Sequence, residues 1–214
     1  MILAYMWMTG RRSFFRLIFS IALIAAAAVL GPERATQTVY EGSAGGRIVA
    51  WGVGNSFLKA NPLFGIGYNR WGDFERLVAH SSFVTCYAEL GLVGYFFWFT
   101  LIYVVLRALL RIARLPRHLD PLAIRLAGGL FAGLVGYVTC AFFLTRTYNP
   151  VLYFLLGLGV GLIRHVQRNP QLPPGLLNVT RRDLLWGGVM SVASIPAIWV
   201  GIRLYWAMGG GSGG

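Results

Sequence analysis

GRIVAWGVGNSFLKANPLFGIGYNRWGDFERLVAHSSFVTCYAELGLVG, residues 46–94, is a loop studded with polar and glycine residues that runs straight into an apolar segment. Four basic side chains, Arg47, Lys59, Arg70 and Arg76, and one histidine, His80, precede the run from Phe83 to Leu106. About 20 mainly apolar residues are what a helix needs to cross a ~30 Å hydrocarbon core. The stretch therefore predicts a membrane helix entered from a chemically equipped loop. The whole chain agrees: of 214 residues, 57% are hydrophobic and only 12% charged, a balance too oily for a soluble domain.

Phe14 to Leu30, Leu122 to Leu144, Pro150 to about Ile163 and Leu184 to about Met208 are the other spanning candidates. The expected fold is all-α and polytopic, with about five spans (14–30, 83–106, 122–144, 150–163, 184–208). These form a single membrane domain, residues 1–208, followed by a flexible linker or tag at 209–214. The longest stretch without a span, 31–82, is expected to be a loop holding a short helix from Arg47 to Ala60. Arg47, Trp51, Asn55 and Leu58 recur at helical spacing and share one face of it. Asn61-Pro62 ends that helix, since the residue before proline leaves the α region and proline cannot continue the ladder. Leu63 to Gly72 is glycine-rich and expected to be irregular, free to approach a ligand or another backbone closely. Gly129-xxx-Gly133 and Gly157-xxx-Gly161 are small-residue pairs of the kind that let membrane helices pack closely.

The formal charge is +12. A nucleic-acid binder would carry it as a stripe on a soluble surface, whereas these arginines fall mainly in short gaps between apolar runs, where they set topology. In alternate gaps, Arg11, Arg12, Arg16, the arginines from Arg107 to Arg125, Arg164, Arg168, Arg181 and Arg182 make up 12 of the 19 basic residues. That excess marks their side as cytoplasmic and places the 31–82 loop and the turn carrying Arg146 together on the outer side. Arg11-Arg12-Ser13-Phe14-Phe15 has the form of a twin-arginine export signal. That reading and a plain membrane anchor both leave the amino end in the cytoplasm. Cys86 and Cys140 lie inside apolar runs with no CxxC spacing, so neither a disulfide framework nor a zinc site follows.

Four pieces occur in order: Arg47-x-x-x-Trp51, Asn61-Pro62-Leu63-Phe64-Gly65-Ile66-Gly67, Ala79-His80-Ser81-Ser82-Phe83, and Ala88-Glu89-Leu90-Gly91-Leu92-Val93-Gly94. Together they resemble the periplasmic-loop signature of the O-antigen ligase and O-antigen polymerase superfamily of bacterial membrane glycosyltransferases, over Gly46 to roughly Leu101. The resemblance implies a multi-pass enzyme of the bacterial inner membrane. Such an enzyme takes a glycan from a polyprenyl-diphosphate carrier on the periplasmic face and passes it to a hydroxyl of a glycolipid or glycan acceptor, with no metal and no cofactor. It also implies that His80 matches the family's general base and Arg47 its diphosphate-holding arginine. Ser81 stands where the family commonly has asparagine. Family members also carry more spans, including an amino-terminal half with a further functional arginine. The chain is thus expected to correspond to a carboxy-terminal portion, with membrane lipids and those further spans among its partners and no nucleic acid.

The residues point the same way on chemical grounds. A diphosphate leaving group gains negative charge as the sugar bond breaks, and guanidinium forks stabilise it without a metal. Arg47, helped by Arg70 and Arg146, is the candidate for that task; at the start of its helix it would also bring backbone N–H groups to the anion. Imidazole takes up a hydroxyl proton near neutral pH, and His80 is the one histidine on the outer side, His118 and His165 falling in cytoplasmic basic loops. Glu89, about 13 Å further along a helix, is expected to support the site by holding an arginine or fixing the helix. Trp51, Trp71 and Tyr68 offer ring faces to sugars or belt the interface.

Each has a competing reading: His80 caps the second span, Arg47 anchors at the interface, and Arg70, Arg76 and Arg146 pair with lipid phosphates. Asp73-x-Glu75 has the form of a metal-holding motif of nucleotide-sugar transferases, whose donors are cytoplasmic, on the opposite side from this pair. For the whole chain the alternatives are a polymerase with the same chemistry, a non-catalytic scaffold that binds lipid-linked glycan, and a transporter. A transporter predicts ionisable groups along the spans, which these runs lack apart from Glu89 and arginines near their ends.

Overall fold

The computed structural model describes residues 43–116, 118–172, 175 and 177–207. Six helices carry the described chain: α1 (Ser43–Ala60), α2 (Trp71–Phe74), α3 (Ser82–Ala113), α4 (Pro121–Phe143), α5 (Pro150–Gln167) and α6 (Arg181–Ala207). Four of them, α3, α4, α5 and α6, are long and apolar enough to cross a membrane. This is a polytopic helical membrane protein. Of the expected spans, 14–30 lies outside the described residues, as does the 209–214 tail. Exposed Leu122 on α4, Phe154 on α5 and Leu185 and Val192 on α6 suit lipid tails, not water.

α3 and α5 run past the apolar stretches that predicted them. Proline is tolerated at a first helical position, and α5 begins on Pro150 with Asn149 Oδ1 accepting from Val151 N at 2.9 Å. At its other end Arg164 and His165 occupy the last turn, where positive charge offsets the helix dipole, and so α5 continues to Gln167. Its 18 residues make about 27 Å.

The described residues fall into two compact units, 43–100 with 141–147 and 184–207, and 101–140 with 148–183. In the second, Leu109, Ile112, Leu134, Leu152 and Leu156 are buried, and Gly159 lies against Val105. Arg107 forms an ion pair with the buried Asp183, whose other oxygen accepts from Thr180 N and Oγ1, each at 2.8 Å. Asp120 caps α4 by accepting from Ala123 N at 2.9 Å and meets His165 Nε2 at 3.2 Å. The Ala123 N–H, reinforced by His165, holds the Asp120 carboxyl below its usual range.

In the first unit, α3 buries Val84, Tyr87, Ala88, Tyr95 and Trp98. Tyr95 OH and Ser194 Oγ of α6 lie 2.7 Å apart, and Thr100 packs on Gly187 of α6. Tyr87 OH donates to Asn55 Oδ1 of α1 at 2.8 Å.

The feature that shapes this unit is a break in α3 at Gly91, where φ is 64° and ψ −169°, a backbone region open essentially to glycine alone. In an unbroken helix Leu92 N would donate to Ala88 O and Val93 N to Glu89 O. Instead Leu92 N donates to Pro62 O at 2.8 Å and Val93 N to Leu63 O at 3.2 Å. The two carbonyls so released accept from Ile66 N at 3.0 Å and Gly67 N at 2.9 Å. The segment after Asn61 is therefore spliced into the gap, and all four backbone groups freed by the break are satisfied, as burial demands. A Cβ on Gly91 would collide with the Leu63 carbonyl, and one on Gly65, itself at φ 66°, with Ala88 O and Glu89 O. The glycine-rich run expected to be irregular is thus tied to a second backbone, that of α3.

Residues 92–113 alone make about 33 Å of helix, enough for a ~30 Å core. Crossing the membrane does not require the segment before the break, and with it Glu89, to enter hydrocarbon.

Candidate functional site

His80 is exposed and adopts φ 48°, one of two non-glycine residues at positive φ among the described residues. Such a conformation costs on the order of 1–3 kcal/mol and persists only where the surroundings impose it. The surroundings are on either side of it in sequence. Ala79, buried, accepts through its carbonyl from Trp51 Nε1 of α1 at 2.7 Å. Ser81 and Ser82 behind it are fully buried. The Ser82 hydroxyl donates to Leu144 O at 2.7 Å and accepts from Arg146 N at 2.7 Å, while Thr147 Oγ1 donates to Ser82 O at 3.0 Å. His80 therefore sits on a rigid point where three distant segments meet: α1, the start of α3, and the turn carrying Arg146.

Arg47 and Trp51 stand one turn apart on α1. The expected shared face is realised in its contacts, with Trp51 on Ala79 O and Asn55 on Tyr87 OH. Trp51 also meets Phe142 edge to face with centroids 5.7 Å apart. Arg47 continues that face and is half-buried, with no carboxylate or hydrogen-bond partner among the described residues. One expectation is corrected. α1 already includes Ser43, so Arg47 lies in its second turn and its N–H belongs to the helical ladder; only its guanidinium can serve an anion. Arg146 is exposed, at the turn that Ser82 holds.

Arg70 and Glu89 belong to a neighbouring cluster. The Glu89 carboxylate, 2% exposed, accepts from Trp71 N at 2.8 Å through one oxygen and from Asn69 N at 3.2 Å through the other. It thereby fixes the 69–71 turn, where Asn69 is the second residue at positive φ. Arg70 is exposed, pairs with Asp73 through Nε at 3.0 Å and lies over the Phe74 ring. No contact joins it to His80 among the described residues. Trp71 is buried, donates its indole N–H to Leu77 O at 2.8 Å and packs on Phe57, so its ring is not available to a sugar. Glu75 Oε1 accepts from Leu77 N at 3.0 Å, so it and Asp73 are both occupied with local contacts.

The structure therefore ties the backbone on either side of His80 to Trp51 of α1 and to the turn carrying Arg146, leaves Arg47 one helical turn from Trp51, and assigns Glu89 to holding the loop. Ser82 is the organising residue that sequence reading passed over: a serine beside a serine carries no mark of bonds to residues 62 to 65 positions away. Ser81, next to His80, keeps a buried hydroxyl without a partner among the described residues, which costs roughly 1–3 kcal/mol. Compared with protein-family models, curated proteins and solved structures, the chain finds no match in any of the three.

Proposed function

We propose that the chain is a membrane glycosyltransferase module that moves a glycan from a polyprenyl diphosphate to a hydroxyl acceptor on the periplasmic side of the inner membrane, as an O-antigen ligase does; with a growing glycan as acceptor the same chemistry is that of a polymerase. The observation that supports it is the pinning of an exposed, strained His80 between the α1 face carrying Arg47 and the turn carrying Arg146. Acceptor O–H gives its proton to the imidazole as the oxygen attacks the sugar carbon, and the carbon–oxygen bond to the diphosphate breaks. The departing diphosphate takes the bonding pair, and the Arg47 guanidinium, with Arg146, meets the charge that develops. Glu89 and Trp51 act as positioning residues through the loop and Ala79.

The test is binding and transfer by the full chain in nanodiscs with undecaprenyl diphosphate, bare and glycan-charged. Arg47→Ala should weaken diphosphate binding roughly tenfold, the worth of one charged hydrogen bond. His80→Ala should leave binding intact and lower transfer about 10²- to 10⁴-fold. Equal binding by wild type and Arg47→Ala refutes the reading.

A further inference from the structure

In the second unit an open apolar groove of about 690 Å³ runs between α4 and α5. Leu126 and Leu130 of α4 form one wall, Phe154 stands at one end, Gly157 and Gly161 make the floor, and His165 closes the other end. From Phe154 to His165 the groove follows 11 helical steps, about 17 Å. One leaflet of a ~30 Å hydrocarbon core is about 15 Å deep.

The histidine end is cationic. Arg164 and Arg168, three and seven residues beyond Gly161, continue the floor's face of α5 and are both exposed. Arg125, beside Leu126, is exposed as well, with its Nε on Pro121 O at 3.2 Å. Asp120, the carboxylate that meets His165 there, is already engaged by Ala123 N and His165. We propose that the groove binds a single anionic phospholipid, its acyl chain along the glycine floor and its phosphate at Arg164 and Arg168. Two features favour a lipid over a second transmembrane helix. The groove matches one leaflet, whereas a docked helix would need a seam through both, and it ends in clustered positive charge where a phospholipid has its phosphate.

The test titrates the purified full chain with palmitoyl-oleoyl phosphatidylglycerol or the phosphatidylcholine of the same chains, counting bound lipid by native mass spectrometry. Phosphatidylglycerol should bind more tightly by about fivefold for each of the two arginines, roughly 30-fold together. Arg164→Gln with Arg168→Gln should remove that preference, weakening phosphatidylglycerol binding far more than phosphatidylcholine binding. Gly157→Leu with Gly161→Leu should abolish retention of both lipids; a Cβ at either glycine meets nothing within 4 Å, so the groove fills without internal clash. Equal affinity for the two lipids, or undiminished phosphatidylglycerol binding after the groove is filled, overturns the proposal. Loss of a dimer in the filled variant with lipid binding intact would assign the groove to a second copy of the chain instead.

Discussion

Replacing Gly91 by alanine tests the splice in α3 directly, because it acts on backbone alone. At φ 64° and ψ −169° a non-glycine residue costs on the order of 1–3 kcal/mol. The added Cβ also meets the Leu63 carbonyl, a backbone atom that no rotamer change can move aside. Together these penalise the spliced state by about 3 kcal/mol, roughly a 100-fold shift in its opening equilibrium. The chain has a ready alternative: Leu92 N and Val93 N can return to Ala88 O and Glu89 O, making α3 continuous and expelling the 62–67 segment. The two sets of amides should then respond in opposite senses. In hydrogen exchange of the full chain in nanodiscs, Ile66 and Gly67 should lose about two orders of magnitude of protection, while Leu92 and Val93 keep theirs within the healed helix. Wild-type protection at Ile66 and Gly67, or parallel loss at Leu92 and Val93, would refute the reasoning.

Ser82→Ala removes one donor and one acceptor contact that tie α3 to the Arg146 turn, and should destabilise that junction by about 1–3 kcal/mol, read as faster exchange at the Arg146 amide. Asp183→Ala removes the partner of the partly exposed Arg107 and frees the Thr180 donors, so thermal unfolding should reveal a loss of about 1–3 kcal/mol, whereas Arg182→Ala on the exposed face should cost under 0.5 kcal/mol. His80→Gly removes the imidazole and relieves the positive φ together. Stability should stay within about 1 kcal/mol of wild type while glycan transfer is lost, and retained transfer would exclude the histidine from the chemistry.

The spans were legible because an apolar run of membrane length leaves few alternatives, and α3 to α6 begin within a few residues of where those runs start. The start of α1 was not. Ser43-Ala44-Gly45-Gly46 reads as loop, since each interior glycine costs a helix about 1 kcal/mol, yet the helix already includes Ser43. The glycines of the 63–72 run announced a close approach but not its partner, because the bonds that splice it to α3 are made by backbone atoms, which carry no residue identity. Arg70 differs, since its pairing with Asp73 at i+3 was available from spacing. Its basic side chain in the loop also fits a cation offered to the anion, and the pairing takes precedence. The convergence on Ser82 had no signal at all.

The splice also changes what the sequence signature can be taken to mean. Asn61 to Gly67 and Ala88 to Gly94 are the two halves of one backbone interlock, and Glu89 secures the turn beside it, so these pieces are accounted for by folding alone. They would be required in a scaffold as much as in an enzyme. His80 and Arg47 stand outside that account: the interlock uses neither, one is held exposed in a strained conformation, and the other is half-buried without a carboxylate among the described residues. The strain at His80 opposes stability, and glycine would remove it. The case for chemistry therefore rests on the two residues that the interlock does not use, and substitutions there separate enzyme from scaffold, whereas substitutions in the interlock destroy both alike.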